Sequence, residues 1–248
     1  MTQFIVNKQI HFLGNTVFLP LQHALVFSDL HLGIETTLRN EGLLIPTFSF
    51  KEILQQLKTT LEMVKSHIGT SKKTGELTIV LNGDIKHEFG KISEVEWRDA
   101  RALITFLQEF GKVIIIAGNH DKQIFPIAKA LDVPVEPYVR IDGTFICHGD
   151  VIPKPAVLRK AKTIIIGHEH PAVGIRELSR VEKFKCFLVG KWKNKTLIVM
   201  PSMQLINEGT DMLKERRLSP FLQGSIENFD VYVVSDKILH FGKIRQLR

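Results

Sequence analysis

The 248-residue sequence predicts an α/β protein with α+β-like features, in which two mixed β-sheets stack as a sandwich flanked by helices. Apolar strands and amphipathic helices alternate through the first half of the chain, and this order favours parallel crossovers within one sheet. From Val133 onward, shorter strands joined by tight turns indicate a second sheet. Polar residues directly follow several of the strands, so we expect a ligand site at the edge where the strands end.

The chain opens with a predicted β-hairpin, because residues 4 to 19 alternate in polarity around the turn dipeptide Gly14-Asn15. The candidate inward positions are Ile10, Phe12, Val17 and Leu19. The first core strand then spans residues 24 to 28. A short helix or loop follows through residues 39 to 42, and we expect Pro46 to close it.

Two long helices are predicted. The first spans Phe50 to Ile68 and ends near Gly69, because apolar residues recur there at helical spacing. Its expected core-facing residues are Ile53, Leu54, Leu57, Leu61, Val64 and Ile68. The second helix begins after Ser93 and runs to Phe110. Ser93 is a plausible N-cap, since Glu96 three residues later completes a capping box.

Further strands are predicted over Leu77 to Leu81, Val113 to Ala117, Thr144 to Cys147 and Thr163 to Ile166. A polar loop at 70 to 76 precedes the first of them. A short helix from Ile124 to Leu131 is expected to be interrupted near Pro126. Later hairpin turns are predicted around Asp142-Gly143, Lys193-Asn194-Lys195 and Ser235-Asp236.

Composition narrows the class of protein. We interpret residues 1–248 as a single domain, since no repeat, low-complexity tract or linker divides the chain. Apolar residues make up 44% of it, but no apolar run approaches the ~20 residues that span a bilayer, so we expect no membrane partner. The absence of a basic N-terminal segment followed by an apolar core indicates a cytoplasmic location. Cys147 and Cys186 are too isolated to form a disulfide framework or a Cys-rich zinc site.

The strongest functional signal is the turn Gly118-Asn119-His120-Asp121, which follows the apolar run from Val113 to Ala117. Four other strand-like runs also end in residue types that bind metals. These residues are Asp29 and His31, Asp84, His148, and His168 with His170. One polar turn proves little by itself, because Gly and Asn favour turns and a histidine there is often solvated. Five such strand ends in one chain predict a common site.

Carboxylate, amide and imidazole donors together suit a borderline divalent ion such as Mn, Fe or Zn better than Ca or Mg. Side chains two residues apart in a strand point to the same side, so Asp29 with His31 can converge if the backbone stays extended. The same holds for His168 with His170. Seven ligand-type residues exceed the need of one ion, and two ions that share one carboxylate, roughly 3.5 to 4 Å apart, would use them all.

The ordered set of these motifs, from Asp29-x-His31 to Gly167-His168-x-His170, resembles that of the calcineurin-like metallophosphoesterases. The resemblance implies the fold of that family and two divalent ions, with Mn favoured and Fe, Zn or Ni as alternatives. It implies that Asp84 bridges the two ions. The remaining ligands would be Asp29, His31 and His170 for one ion, and Asn119, His148 and His168 for the other.

The same resemblance implies phosphoester hydrolysis by a metal-bridging hydroxide, with His120 and Asp121 as catalytic residues that are not ligands. His120 would protonate the leaving oxygen or stabilise negative charge on the phosphoryl group. Asp121 would orient His120. Arg39, Lys86 and His87 are candidate substrate-binding residues. The alternative is that they support a ligand residue from behind or lie on the surface.

The bridging loop from Gly83 to Gly90 lacks the Asp-Arg pair of protein phosphatases. The pattern is closer to the ICC-like phosphoesterases, which include DNA ligase-associated enzymes. The matching pieces are Ser28 to Gly33, Arg39-x-x-Gly42 with Pro46, Asp84 to His87, and Gly167 to Pro171. This resemblance implies a phosphodiesterase acting on nucleotides or nucleic acid, and an association with DNA repair enzymes. A small diester such as a cyclic nucleotide, a phosphomonoester, and a non-catalytic metal-binding or nucleic-acid-binding scaffold are the alternatives.

The formal net charge of +7 attracts polyanions, although such a charge can serve solubility alone. Basic residues concentrate in segments 58–73, 154–162, 183–195, 214–217 and 243–248. If several of these segments share the face of the metal site, they can follow a phosphate backbone. The alternative interpretation is a set of solvated surfaces.

Overall fold

The structure, a computed structural model, describes residues 3–45, 49–68, 76–90, 92–177 and 180–247. Pro46, Gly69 and residues 70–75 of the predicted loop lie outside this described part. The α-helices within it are α1 (Ile34–Asn40), α2 (Ser49–Ile68), α3 (Glu94–Gln108), α4 (Phe125–Ala130) and α5 (Pro155–Leu158). None of the described helices is both long enough and apolar enough to cross a membrane.

Over the described residues, the first sheet has seven strands whose order in space follows their order in sequence. They are β1 (Gln3–Asn7), β2 (Ile10–Leu13), β3 (Thr16–Leu19), β4 (Ala24–Phe27), β5 (Thr78–Asn82), β6 (Lys112–Ile116) and β7 (Val135–Glu136). Neighbours from β1 to β4 pair antiparallel, and neighbours from β4 to β7 pair parallel. The predicted hairpin at Gly14-Asn15 and the parallel crossovers are therefore confirmed.

The second sheet has nine strands in the described chain. They are β8 (Val139–Ile141), β9 (Thr144–Ile146), β10 (Thr163–Ile166), β11 (Pro171–Glu177), β12 (Arg180–Trp192), β13 (Lys195–Val199), β14 (Thr210–Asp211), β15 (Asp230–Val234) and β16 (Ile238–Lys243). Turns join β8 to β9, β12 to β13 and β15 to β16 at the three predicted places. Strand β12 has 13 residues because it pairs with β11, β13 and β15 in turn, so the expectation of short strands is wrong there.

The two sheets pack face to face through a shared apolar core. Ile10, Phe12, Val17 and Leu19, the predicted inward residues of the hairpin, are all buried in it. The rings of Phe12 and Phe187 stack across the sandwich with centroids 3.9 Å apart. Alternation along β4 and β5 sends Ala24, Val26 and Val80 into this core. The predicted sandwich is thus confirmed.

The other face of the first sheet is covered by helices. Leu25 and Phe27 of β4 pack with the apolar face of α2, whose residues Ile53, Leu57, Leu61 and Val64 are buried. Helix α3 begins as predicted, since Ser93 Oγ accepts from the Glu96 amide and the Glu96 carboxylate accepts from the Ser93 amide. Pro126 lies in the first turn of α4 and does not interrupt it, because a proline there needs no helical N–H partner.

Helix α2 stabilises the first sheet through its buried stripe, and Leu57 is central to that stripe. Leu57 is 0% exposed, so Leu57→Ala leaves a cavity that lowers the free energy of unfolding by about 2–5 kcal/mol. The neighbouring exposed Lys58 provides the matched control, and Lys58→Ala is expected to change it by no more than about 0.5 kcal/mol. The free energy of unfolding of both variants is measured by urea denaturation monitored by circular dichroism. Equal stability of the two variants would contradict this assignment of the core.

Candidate metal centre

Five strands end at one edge of the sandwich, and polar side chains follow each of them. They are β4, β5 and β6 of the first sheet and β9 and β10 of the second, and both groups run parallel internally. In chain order, the side chains that follow these strands are Asp29 and His31, Asp84, Asn119, His148, and His168 with His170. The structure therefore brings all seven predicted ligands together.

The backbone in these loops is left-handed. The expectation that it stays extended through both residue pairs is therefore wrong. The φ angles of the five residues concerned are 57° at Asp29, 45° at His31, 50° at Asp84, 64° at His168 and 49° at His170. The paired residues converge because β4 and β10 stop at Phe27 and Ile166 and a tight turn follows. A left-handed non-glycine residue costs on the order of 1–3 kcal/mol and persists where surrounding structure fixes it.

Two glycines permit the close approach of these loops. A Cβ at Gly118 would overlap the Asp84 carboxylate, and a Cβ at Gly167 would overlap Ser28 Oγ and crowd Asp29. The Gly-Asn-His-Asp and Gly-His-x-His motifs thus require glycine for steric reasons, in addition to its preference for turns.

The first cluster contains Asp29, His31 and His170. His170 Nε2 lies 3.3 Å from Asp29 Oδ1 and 3.3 Å from His31 Nε2. Asp29 is completely buried and His31 nearly so. One donor atom from each of the three residues lies within 4.8 Å of the others.

The second cluster contains His148, His168 and Asn119. His148 Nε2 lies 3.1 Å from Asn119 Oδ1, and the rings of His148 and His168 meet edge to face with centroids 5.0 Å apart. Donor atoms of Asp84, His148 and His168 lie within 4.8 Å of one another. His148 is oriented from behind by the carbonyl of Asn82, 3.1 Å from its Nδ1.

Asp84 lies between the two clusters. Its Oδ2 is 3.3 Å from His148 Nε2 in the second cluster and 3.8 Å from His31 Nε2 in the first. Its Oδ1 accepts from the His120 amide at 2.9 Å. A buried carboxylate in this position is suited to contact cations in both clusters.

Burial and charge set the protonation of the site. Burial raises the pKa of Asp29, but the charges and hydrogen bonds of the surrounding histidines outweigh it and leave the pKa below its ordinary value. Burial, aided by His170, lowers the pKa of His31 to about 3. Burial likewise opposes protonation of His148, but the Asp84 hydrogen bond and the Asp29 and Asp84 charges raise its pKa to about 10. A cation bound at His148 would have to displace this proton.

His120 lies beside the two clusters. Its Nε2 is 3.9 Å from Asp84 Oδ2, and its Nδ1 donates to the His87 carbonyl. Asp121 is fully buried and accepts from the backbone amides of Ile85 at 2.9 Å and Gly118 at 3.1 Å. Among the described residues, the His87 carbonyl and not Asp121 holds the His120 ring. Asp121 instead joins the bridging loop to the turn that carries His120.

The three candidate substrate-binding residues occupy different environments. His87 lines a pocket with His31 and His120. Lys86 is completely buried, and its ammonium donates to the Glu88 carbonyl, so the structure does not present it to that pocket. Arg39 lies on α1 beside a separate surface cavity.

Sequence reasoning missed several residues that shape the site. The buried Glu96 carboxylate accepts from the backbone amides of His87 at 3.1 Å and Glu88 at 2.8 Å, in addition to its capping role. Gln204 and Asn207 line the same pocket as His87 and His120. The capping box pointed to Glu96, but no sequence signal linked positions 204 and 207 to a strand end 175 residues earlier.

The donor chemistry fits divalent metal ions. The first cluster supplies imidazole nitrogens and a carboxylate oxygen, the second supplies imidazole nitrogens and an amide oxygen, and the Asp84 carboxylate lies between them. Mixed nitrogen and oxygen donors suit borderline divalent ions.

Two solved structures are similar to this chain, and the first of them supports the fold. The crystal structure of nuclease MPE from Pseudomonas putida is 16% identical and has a TM-score of 0.59, covering 97% of this chain and 99% of that chain. A predicted phosphoesterase from Streptococcus pneumoniae TIGR4 is 13% identical with a TM-score of 0.30, covering 89% of this chain and 97% of that chain. Identities this low concern the fold alone. No curated protein matches the chain by sequence.

The family model described as calcineurin-like phosphoesterase matches residues 23–224, which include the strand ends and both clusters. This family comprises metal-dependent phosphoester hydrolases, in agreement with the donor chemistry. The protein therefore belongs to the calcineurin-like phosphoesterase family.

Proposed function

We propose that the protein is a phosphodiesterase that hydrolyses nucleotide or nucleic-acid phosphodiesters with a pair of divalent ions. The observation that carries this proposal is the position of Asp84 between two clusters of nitrogen and oxygen donors. A pair of ions that shares one carboxylate is a typical arrangement for phosphate ester hydrolysis.

The residues of the two clusters would hold the ions. One ion would be bound by Asp29, His31 and His170, and the other by Asn119, His148 and His168. Asp84 would bind both ions. When bound, such ions supply Lewis acidity that polarises phosphate oxygens and lowers the pKa of coordinated water. We propose Mn as the native ion, with Fe, Zn and Ni acceptable to the same donors.

His120 would act on the leaving oxygen of the ester. Its Nδ1 is engaged by the His87 carbonyl, so Nε2 is the nitrogen available for proton transfer. Asp121 would support this role by fixing the turn that carries His120. We also propose that residues 1–248 act as one domain, which the pairing of β15 with β12 supports.

The choice of a nucleic-acid diester has three supports. The motifs resemble those of the ICC-like and DNA ligase-associated phosphoesterases, and the fold is similar over its whole length to a protein named as a nuclease. The net charge of +7 also favours a polyanionic substrate. An association with DNA repair enzymes is part of this proposal.

Metal dependence tests the two-ion arrangement. Chelated protein is expected to be inactive on bis-p-nitrophenyl phosphate, to recover with Mn, and to prefer this diester to p-nitrophenyl phosphate. Asp84→Asn removes the charge between the clusters and is expected to lower kcat/KM at least about 100-fold. Asp236→Asn makes the same charge change at an exposed residue and is expected to leave activity unchanged.

Metal analysis of both variants completes this experiment. We expect a reduced metal-to-protein ratio in Asp84→Asn and an unchanged ratio in Asp236→Asn. A folded, metal-loaded wild-type protein that hydrolyses neither ester would refute general diesterase activity. Full activity of Asp84→Asn would refute its bridging role.

A general-acid role for His120 predicts a dependence on the leaving group. His120→Ala is expected to lower kcat by about 10²- to 10⁴-fold for a diester with a poor alkoxide leaving group. The loss is expected to be smaller for p-nitrophenolate, which departs without a proton. An equal loss for both substrates would argue instead that His120 stabilises phosphoryl charge.

Nucleic-acid binding predicts a salt dependence that basic residues near the site control. Arg216 and Arg217 are adjacent to Leu218, whose amide donates to Glu169 between the predicted ligands His168 and His170. The Arg216→Ala, Arg217→Ala double variant is expected to reduce the salt slope of oligonucleotide affinity by up to about 2. Exposed Lys58→Ala and Lys237→Ala serve as controls. Undetectable binding of single- and double-stranded oligonucleotides at low salt would refute a nucleic-acid substrate.

A further inference from the structure

A pocket of about 120 Å³ lies against the first cluster and His120. Its described lining consists of His31, Ile34, His87, His120, His170, Gln204 and Asn207. No lysine or arginine belongs to this described lining, so the pocket contains histidines and two neutral amides. Such a lining suits an uncharged group that carries hydrogen-bond acceptors better than an additional anion.

The Gln204 amide is buried and has a defined orientation. Gln204 is 1% exposed, and its Oε1 accepts from the Asn207 backbone amide at 2.5 Å. Because a backbone N–H requires an oxygen partner, this contact identifies which end of the side chain carries the NH₂ group. Nε2 is buried and forms no hydrogen bond with any described residue. Buried donors in native proteins usually have partners, which here can be a water molecule or a group of a ligand.

The Asn207 side chain is held in the same way as that of Gln204, by a backbone N–H that donates to its amide oxygen. This side chain is exposed, and its Oδ1 accepts from the Gly209 backbone amide at 2.8 Å. The oxygen is therefore committed to the turn, and the NH₂ group is the end left for a ligand. Both side chains line the pocket, and a backbone contact fixes the orientation of each amide group.

The segment that carries these amides is anchored to the metal centre. The backbone N–H of Gln204 donates to the Asp29 carbonyl at 3.2 Å, and the backbone N–H of Met203 donates to the Ser28 carbonyl at 3.0 Å. The Lys185 ammonium donates to the Ser202 and Gln204 carbonyls from the opposite side. Gln204 therefore has little freedom to move relative to the first cluster.

We propose that Gln204 and Asn207 donate hydrogen bonds to the departing alcohol of the diester and make the enzyme selective for an oxygen-rich alcohol such as a sugar. The inference rests on the proposed function, since it assigns the pocket beside His120 to the leaving group. A lining without lysine or arginine suits the esterified arm of a diester, because that arm brings oxygen acceptors without a further charge.

The test compares a sugar with an aromatic leaving group. Asn207→Ala is expected to raise KM for the dinucleotide thymidylyl-thymidine about three- to tenfold, the loss of one or two neutral hydrogen bonds, with kcat changed less than about twofold. The KM for bis-p-nitrophenyl phosphate is expected to change less than about twofold. Asn207→Asp keeps the oxygen that accepts from the Gly209 amide but removes the NH₂ group. It is expected to raise KM for the dinucleotide at least as much as Asn207→Ala does. Asn228→Ala removes an exposed amide elsewhere and serves as the control.

Gln204→Met tests the buried amide. It is expected to raise KM for the dinucleotide as Asn207→Ala does, at an unchanged metal-to-protein ratio. Gln204 also borders a cavity of about 20 Å³ on its inner side. A lower melting temperature with unchanged KM would assign the amide to that inner cavity and overturn the proposal.

Calorimetric binding separates this inference from the proposed function. Thymidylyl-thymidine is titrated into metal-loaded His120→Ala protein, with and without Asn207→Ala, and a three- to tenfold weaker affinity in the double variant is expected. Wild-type protein that binds the dinucleotide with this dependence but does not hydrolyse it would refute the diesterase and leave the binding inference standing. Equal affinity of His120→Ala and of the His120→Ala, Asn207→Ala double variant for the dinucleotide would overturn the inference.

Discussion

The site depends on one constraint, which is that the carboxyl ends of strands from two different sheets meet at the same edge of the sandwich. Strands β4 to β6 supply one half of the donors, and β9 and β10 supply the other. Contacts between the halves join residues far apart in sequence, as in the His168 amide that donates to Asp29 at 3.1 Å. The spacing between the halves is set by the apolar core, where Phe12 stacks on Phe187. Packing of the sandwich therefore determines whether the donors can converge.

Convergence has an electrostatic consequence. Asp29 and Asp84 are buried carboxylates with lowered pKa values, although burial alone would raise them. The surrounding histidines lower both pKa values, and the Asp84 hydrogen bond in turn raises the pKa of His148. The left-handed backbone at five of the seven positions adds strain to this cost. A cation bound by these residues would compensate the buried carboxylates and compete with protons for the imidazole nitrogens, so metal binding and proton release are linked.

The sequence allowed prediction of the elements whose signals are local. Apolar alternation located the hairpin, apolar runs located the parallel strands, and the Ser93 capping box located the start of α3. The strand ends identified the residues that converge, because each motif follows an apolar run. The left-handed turns were not predictable from spacing, since φ at Asp29 depends on the fit against Gly167, which is 138 residues away. Burial of Lys86 and the pocket position of Gln204 likewise arise from contacts that the local sequence does not specify.

The charged side chains around the clusters contact backbone groups more than they contact one another. Asp121 and Glu96 accept from amides of the bridging loop, Glu169 accepts from the Leu218 and Ser219 amides, and Lys185 donates to carbonyls of the 202–204 segment. A charge-assisted hydrogen bond to backbone is stronger than a neutral one and fixes the loop itself. These side chains can therefore position the loops that they contact without competing for a cation. The ionisable residues at this edge of the sandwich therefore fall into two sets. One set holds the loops through backbone contacts, and the other converges on the two clusters.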